Sequence, residues 1–149
     1  MARLIASFFG SGLLLRRVRG ADSGSGTVAG FAALALALLI DPWGGRLLAL
    51  AVVLILGWWS LQSLDLGSED PGWVVIDEVA GTLIATLGLG ITGAVIAFVV
   101  FRIADIKKGL FPGVGPAEQI GGPAGILADD LVAGLYGLAA GWVVQLTIG

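Results

Sequence analysis

Apolar residues fall in five blocks, roughly 27 to 41, 46 to 64, 71 to 88, 91 to 108 and 124 to 148, separated by short glycine-rich and charged stretches. All but the first approach the 17–25 residues that a helix needs to cross a bilayer. The pattern predicts an all-α fold: a polytopic membrane bundle of about five transmembrane helices plus an N-terminal interfacial segment, forming one membrane-embedded domain over residues 1–149.

The division between the third and fourth blocks decides the topology. The run from Val79 to Phe101 would make one long helix, but its middle, Gly88-Leu89-Gly90-Ile91-Thr92-Gly93, is glycine-rich and predicts a hairpin. With the hairpin, Asp77-Glu78 and the Arg102–Lys108 segment return to the same membrane face. One continuous helix would put them on opposite faces. The hairpin also sorts the charge: Arg3, Arg16, Arg17, Arg19, Arg102, Lys107 and Lys108 share a side with nearly all the acids, leaving Asp41 and Arg46 opposite. The positive-inside rule assigns the crowded side to the cytoplasm.

Composition supports a lipid environment. The chain is 57% hydrophobic and 13% charged, with a mean hydropathy of +0.99, too little polar surface to cover a soluble domain. The first apolar stretch, in MARLIASFFGSGLLLRRVRG, is followed rather than preceded by its arginine cluster, so it reads as a retained membrane-surface segment and not a cleaved signal. A net charge of −3 without a basic run gives no support to a nucleic-acid partner. With no Cys and no His, thiolate nucleophiles, imidazole bases and the usual zinc sites are excluded. Carboxylates, hydroxyls, Arg/Lys and the backbone remain.

Two acid pairs sit in apolar surroundings. Asp129-Asp130 in GILADDLVAG fall inside the last block, and Asp77-Glu78 in VVIDEVAG open the third, with Gly81 following to allow close approach. An ionised carboxylate in a membrane helix is costly unless it meets water, a partner or a cation. The plainer reading makes each pair solvated helix-start acids favoured by the helix dipole. Asp105 follows Arg102 at i+3 in FRIADIKK, the spacing of an ordinary surface ion pair. Taken together, five carboxylates from three segments would repel one another unless a cation neutralised them. All-oxygen ligation suits a hard ion, which points to Mg²⁺ and through it to a phosphate. Arg102, Lys107 and Lys108 supply cations for phosphate oxygens. The loop DSGSGTVAG, with Ser25, Gly26 and Thr27 opening the first block, offers backbone N–H groups to an anion, or is simply a flexible loop. Gly134, Gly137 and Gly141 recur at helical spacing, as small residues do where helices pack closely.

The order FFGSG, a Gly-Thr loop, IDEVAG, FRIADIKK and a Gly-Gly pair before GILADDLVAG resembles the phosphatidylglycerophosphatase A family over nearly the whole chain. The resemblance implies Mg²⁺-dependent hydrolysis of phosphatidylglycerophosphate to phosphatidylglycerol and phosphate, at the cytoplasmic face of a bacterial inner membrane. It implies a metal-binding and catalytic set of Asp77, Glu78, Asp105, Asp129 and Asp130, with Arg102 and Lys108 acting on the phosphate. Ser25, Gly26, Thr27 and Gly122 would join Arg102 and Lys108 in binding the phospholipid substrate. Two motifs depart from the family: its PGTxGS loop is Ser25-Gly26-Thr27-Val28-Ala29-Gly30 here, and its Lys-Pro-x-Pro is Lys108-Gly109-Leu110-Phe111 followed by Pro112. A carboxylate-based ion or proton transporter is the alternative of another class, though it needs acids spread across the membrane depth. A non-catalytic lipid-phosphate-binding homologue is the other.

Overall fold

The computed structural model describes residues 1–13, 24–64, 66 and 71–148. Arg16, Arg17, Arg19 and the Asp22-Ser23 start of the glycine–serine loop lie outside the described residues. The chain folds into α1 (Ala2–Ala6), α2 (Ser25–Leu39), α3 (Gly44–Leu64), α4 (Ile76–Ala85), α5 (Ile91–Ile106), a 3-10 turn at Lys108–Leu110, α6 (Val114–Glu118) and α7 (Gly122–Ile148). Among the described residues there is no strand, as the hydropathy pattern predicts.

Helix lengths qualify the expected count of spans. Helices α3 and α7, with 21 and 27 residues, are long and apolar enough to cross a membrane. At 15, 10 and 16 residues, α2, α4 and α5 fall short of the ~20 that a straight span takes. About five spans are therefore expected from the pattern, and two helices of spanning length are found with three shorter ones packed against them. Their outward faces are apolar: Leu48 and Ile55 on α3 are each 68% exposed, and Val143 on α7 is 62% exposed.

The hairpin is present, set slightly earlier than expected. The break covers Thr86–Gly90, and Ile91, Thr92 and Gly93 already form the first turn of α5. Gly88 takes φ +70° there, and any side chain would run into the Trp43 and Trp142 rings. The turn is tied down by its neighbours: Gly88 N–H donates to Pro42 O at 2.9 Å, and Gly90 N–H donates to Gln145 Oε1 at 2.6 Å. Arg46 crosses the same end, donating to Ala37 O at 2.8 Å, to Leu89 O at 2.9 Å and to Thr86 O. A buried guanidinium whose Nε and Nη1 donors meet three carbonyls stitches the end of α2 and the hairpin to α3.

Glycine sets how closely α4, α5 and α7 approach. A Cβ on Gly134 would meet Gly81 O at 2.7 Å, one on Gly137 would meet Phe101 Cβ at 3.0 Å, and one on Gly141 would meet Gly93 O at 2.8 Å. These contacts give the three glycines the packing role expected of them. At the other end of the bundle from the hairpin, Val75 N–H donates to Ala6 O at 2.9 Å and Arg3 lies 4.9 Å over the Trp73 ring. Both contacts fix α1 beside the start of α4.

Candidate active site

The end of the bundle away from the hairpin gathers the acids. Asp77 and Glu78 lie in the first turn of α4, where the helix dipole favours carboxylates. That part of the plainer reading is correct, but solvation is not: Asp77 is 5% exposed. Asp129 and Asp130 lie about two turns inside α7 and are 4% and 2% exposed, so neither is a solvated helix-start acid. Gly81, one turn beyond Asp77, allows the approach: a Cβ there would meet the Phe101 ring at 2.5 Å and Asp130 O at 2.9 Å.

The hairpin brings α5 back to the same place. One carboxylate oxygen each from Asp77, Glu78 and Asp130 lie within 4.8 Å of one another, and so do oxygens from Asp105, Asp129 and Asp130. Asp130 belongs to both groups and so joins them into one five-carboxylate cluster. Glu78 Oε2 and Asp130 Oδ2 are buried without a hydrogen-bond partner among the described residues. Each such oxygen costs several kcal/mol of lost hydration unless something positive meets it.

Two cations border the acids. Arg102 Nη1 lies 2.7 Å from Asp105 Oδ2, the expected i,i+3 ion pair. Nε of the same guanidinium is buried without a hydrogen-bond acceptor among the described residues. Arg102 Nη2 donates to Thr27 Oγ1 at 3.4 Å, linking the site to the start of α2. Lys108 Nζ donates to Asp129 Oδ2 at 2.6 Å and to Glu118 Oε1 at 2.9 Å. Burial lowers the Lys108 pKa, but these two carboxylate bonds outweigh it and hold the ammonium above its usual value.

The loop before α2 reaches the acids through its glycine. Gly26 is packed so closely on the Glu78 carboxylate that a side chain there would overlap it. Buried Ser25 donates from Oγ to Gly72 O, fixing the start of α2 to the approach to α4. Gly122 stands apart. It opens α7 with φ +59°, seven residues and so about 10 Å along the axis from Asp129. Lys107 is exposed. Sequence reasoning did not single out Glu118, whose surroundings, GPAEQIGG, read as a polar loop; only the fold of α6 against α7 brings it to Lys108.

This is a helical bundle with a buried, all-oxygen carboxylate cluster and flanking cations at one end, a donor set that could hold a hard cation beside an anion. Residues 4–145 match the family model described as Phosphatidylglycerophosphatase A, and the chain belongs to that family. It is also 36% identical over 98 residues to a Bacteroides thetaiotaomicron protein named "Putative phosphatidylinositol-3-phosphatase", a match covering 59% of this chain and 60% of that one. No solved structure matches the chain.

Proposed function

We propose that the protein is a membrane lipid phosphatase that hydrolyses phosphatidylglycerophosphate to phosphatidylglycerol and phosphate with Mg²⁺, at the cytoplasmic face of a bacterial inner membrane. The carrying observation is the five-carboxylate cluster joined through Asp130, with unpartnered buried oxygens on Glu78 and Asp130. Family membership and the phosphatase name of the relative support the reaction class.

The donor set fits magnesium: it is all oxygen, anionic and free of His and Cys. Asp77, Glu78, Asp105, Asp129 and Asp130 would hold it. When bound, magnesium supplies positive charge against the phosphoryl oxygens. The chain's own groups do the rest. Arg102 offers its Nε donor and its positive charge to the phosphate, with Asp105 and Thr27 holding the rest of the guanidinium. Lys108 adds a second positive charge at the Asp129 edge. Water attacks phosphorus, a cluster carboxylate takes its proton, and the ester P–O bond breaks as the glycerol oxygen leaves and is protonated. The acids crowd one end of the bundle, which argues against the transporter alternative.

Purified protein should release phosphate from phosphatidylglycerophosphate with Mg²⁺. Asp129→Asn and Asp77→Asn should abolish turnover while preserving the fold. Full activity in excess chelator refutes the metal reading. Faster turnover of phosphatidylinositol 3-phosphate would instead move the substrate towards that named for the relative.

A further inference from the structure

Lys108 is held from two sides by carboxylates on different helices. Its ammonium donates inward to Asp129 Oδ2 at 2.6 Å and outward to Glu118 Oε1 at 2.9 Å. Glu118 ends α6, a helix of five residues that the core holds in place: Val114 is fully buried and packs with Phe101 and Ala104 of α5 and Ala133 of α7. The Glu118 main chain is fixed as well. A Cβ on Gly125 would stand 2.8 Å from Glu118 O, so a glycine there lets the end of α6 lie against α7. Gly125 is four residues before Asp129, on the same helix face and about 6 Å along the axis. Tyr136, on that face beyond Asp129, donates its hydroxyl to Pro112 O at 2.7 Å and pins the segment between Lys108 and α6. The bridge is thus tied to α7 on either side of Asp129.

We propose that Glu118 is a positioning residue, which holds the Lys108 ammonium at the edge of the carboxylate cluster and keeps it from settling on Asp129 alone. The inference rests on the lipid-phosphatase reading and adds to its machinery a residue that acts only through Lys108. The pair does little for the fold, because the Glu118 side chain is 53% exposed and exposed ion pairs contribute little stability. Its effect is on where the charge sits. Among the described residues, five clustered carboxylates face the two cations Arg102 and Lys108, so the cluster draws the ammonium inward. Asp129, whose side chain is only 6% exposed, would then take the whole of that charge. There the ammonium would compete with the magnesium that Asp129 is proposed to hold. An acid on the outer side divides the charge between two partners. An ammonium has three N–H groups: two are spent on Asp129 and Glu118, and the third is left for a phosphate oxygen.

Mg²⁺ binding to the purified protein, followed by titration calorimetry without substrate, reads the placement of Lys108 apart from turnover. Glu118→Gln should weaken Mg²⁺ binding about tenfold and lower kcat for phosphatidylglycerophosphate by a similar factor, the scale of one charge-assisted hydrogen bond. The thermal unfolding midpoint should move by no more than a few degrees. Glu118→Asp, which keeps the charge on a shorter arm, should fall between wild type and Glu118→Gln. In Lys108→Met and Lys108→Gln backgrounds, adding Glu118→Gln should leave Mg²⁺ affinity unchanged, because the group it positions is gone. An equal loss with and without Lys108 overturns the positioning role, since Glu118 would then act through its own field or through the fold. Wild-type Mg²⁺ affinity in Glu118→Gln overturns it too, with the phosphatase reading intact. Failure of the wild type to bind Mg²⁺ refutes the metal reading and this role together. The expected pattern of Mg²⁺ affinities in a protein that hydrolyses no lipid phosphate would uphold the placement of Lys108 by Glu118 and refute the phosphatase reading alone.

Discussion

Gly26→Ala separates the site from the fold. The added Cβ would overlap the Glu78 carboxylate and stand 2.6 Å from Glu78 Cδ, where ordinary contact begins near 3.4 Å. The carboxylate Oε1 lies nearer still, but the obstacle is the far end of a flexible side chain, so Glu78 withdraws by at least about an ångström and the backbone stays. Replacing a helical glycine with alanine also contributes up to ~1 kcal/mol of helix preference, partly offset by the lost ion-site geometry. Stability should therefore change by less than ~1 kcal/mol in either direction. A carboxylate displaced by about an ångström is another matter, since misplacement on that scale costs about 10²-fold in rate. Phosphate release in detergent micelles should fall about a hundredfold, while the thermal unfolding midpoint moves by only a few degrees. The double variant Gly26→Ala/Glu78→Ala should be no slower than Glu78→Ala alone, because both changes remove the same group. Full activity in Gly26→Ala, or activity lost in step with folding, would refute the placement of Glu78 in the machinery.

Asp130 joins the two carboxylate groups, so Asp130→Asn should reduce kcat by at least about 10³-fold and abolish any Mg²⁺-induced rise in the unfolding midpoint, read by calorimetry. Without Mg²⁺ the same variant should be as stable as wild type or more so, because a buried charge among like charges has been removed. Arg46→Leu leaves the Ala37, Thr86 and Leu89 carbonyls without their donor and should cost roughly 3 kcal/mol in denaturant titrations, with specific activity of the folded fraction intact. Asp41 accepts N–H groups from Gly45 and Trp43, and the bond from Gly45 chiefly holds its pKa below the usual value of 3.8. Its stabilisation is complete above the unfolded pKa and is lost as pH falls through the lowered one, so Asp41→Asn should flatten the decline of the unfolding midpoint below about pH 4.

The helices were legible because each apolar block ends at glycine, proline or charge. The hairpin was legible too, although Ile91-Thr92-Gly93 prefer to begin α5 once Gln145 meets Gly90. Span count was not legible from hydropathy: residues 71–75 are as apolar as a helix, yet they make a turn before α4, closed by Val74 N–H on Pro71 O, with Val75 N–H bonded to Ala6 O. The acid pairs announced themselves, since adjacent carboxylates in apolar sequence need a partner. Glu118 and Arg46 gave no such signal. Each acts through a tertiary neighbour, Lys108 for the first and three helix-end carbonyls for the second.

The glycine seam and the acid cluster have a common cause. Five carboxylates held in one cluster push α4, α5 and α7 apart, and that repulsion must be balanced by contacts elsewhere along the same helices. Gly81 against Asp130 O, Gly134 against Gly81 O and Gly141 against Gly93 O provide them, bringing backbones together where any larger residue would hold them apart. Close backbone packing of this kind is how helices associate when the surrounding lipid is as apolar as their side chains. The seam lies next to the acids at one end and next to the hairpin at the other, so it fixes the cluster's geometry. If the cluster holds magnesium as proposed, the ion would enter a site already assembled, which would lower the ordering cost of binding. On this account Gly134→Ala should weaken Mg²⁺ binding as well as the fold, because it spreads α4 from α7 and with it Asp77 from Asp130. Metal titration of the folded fraction reads the first effect separately from the second. Unchanged Mg²⁺ affinity in a destabilised Gly134→Ala variant would show that the seam and the cluster are independent.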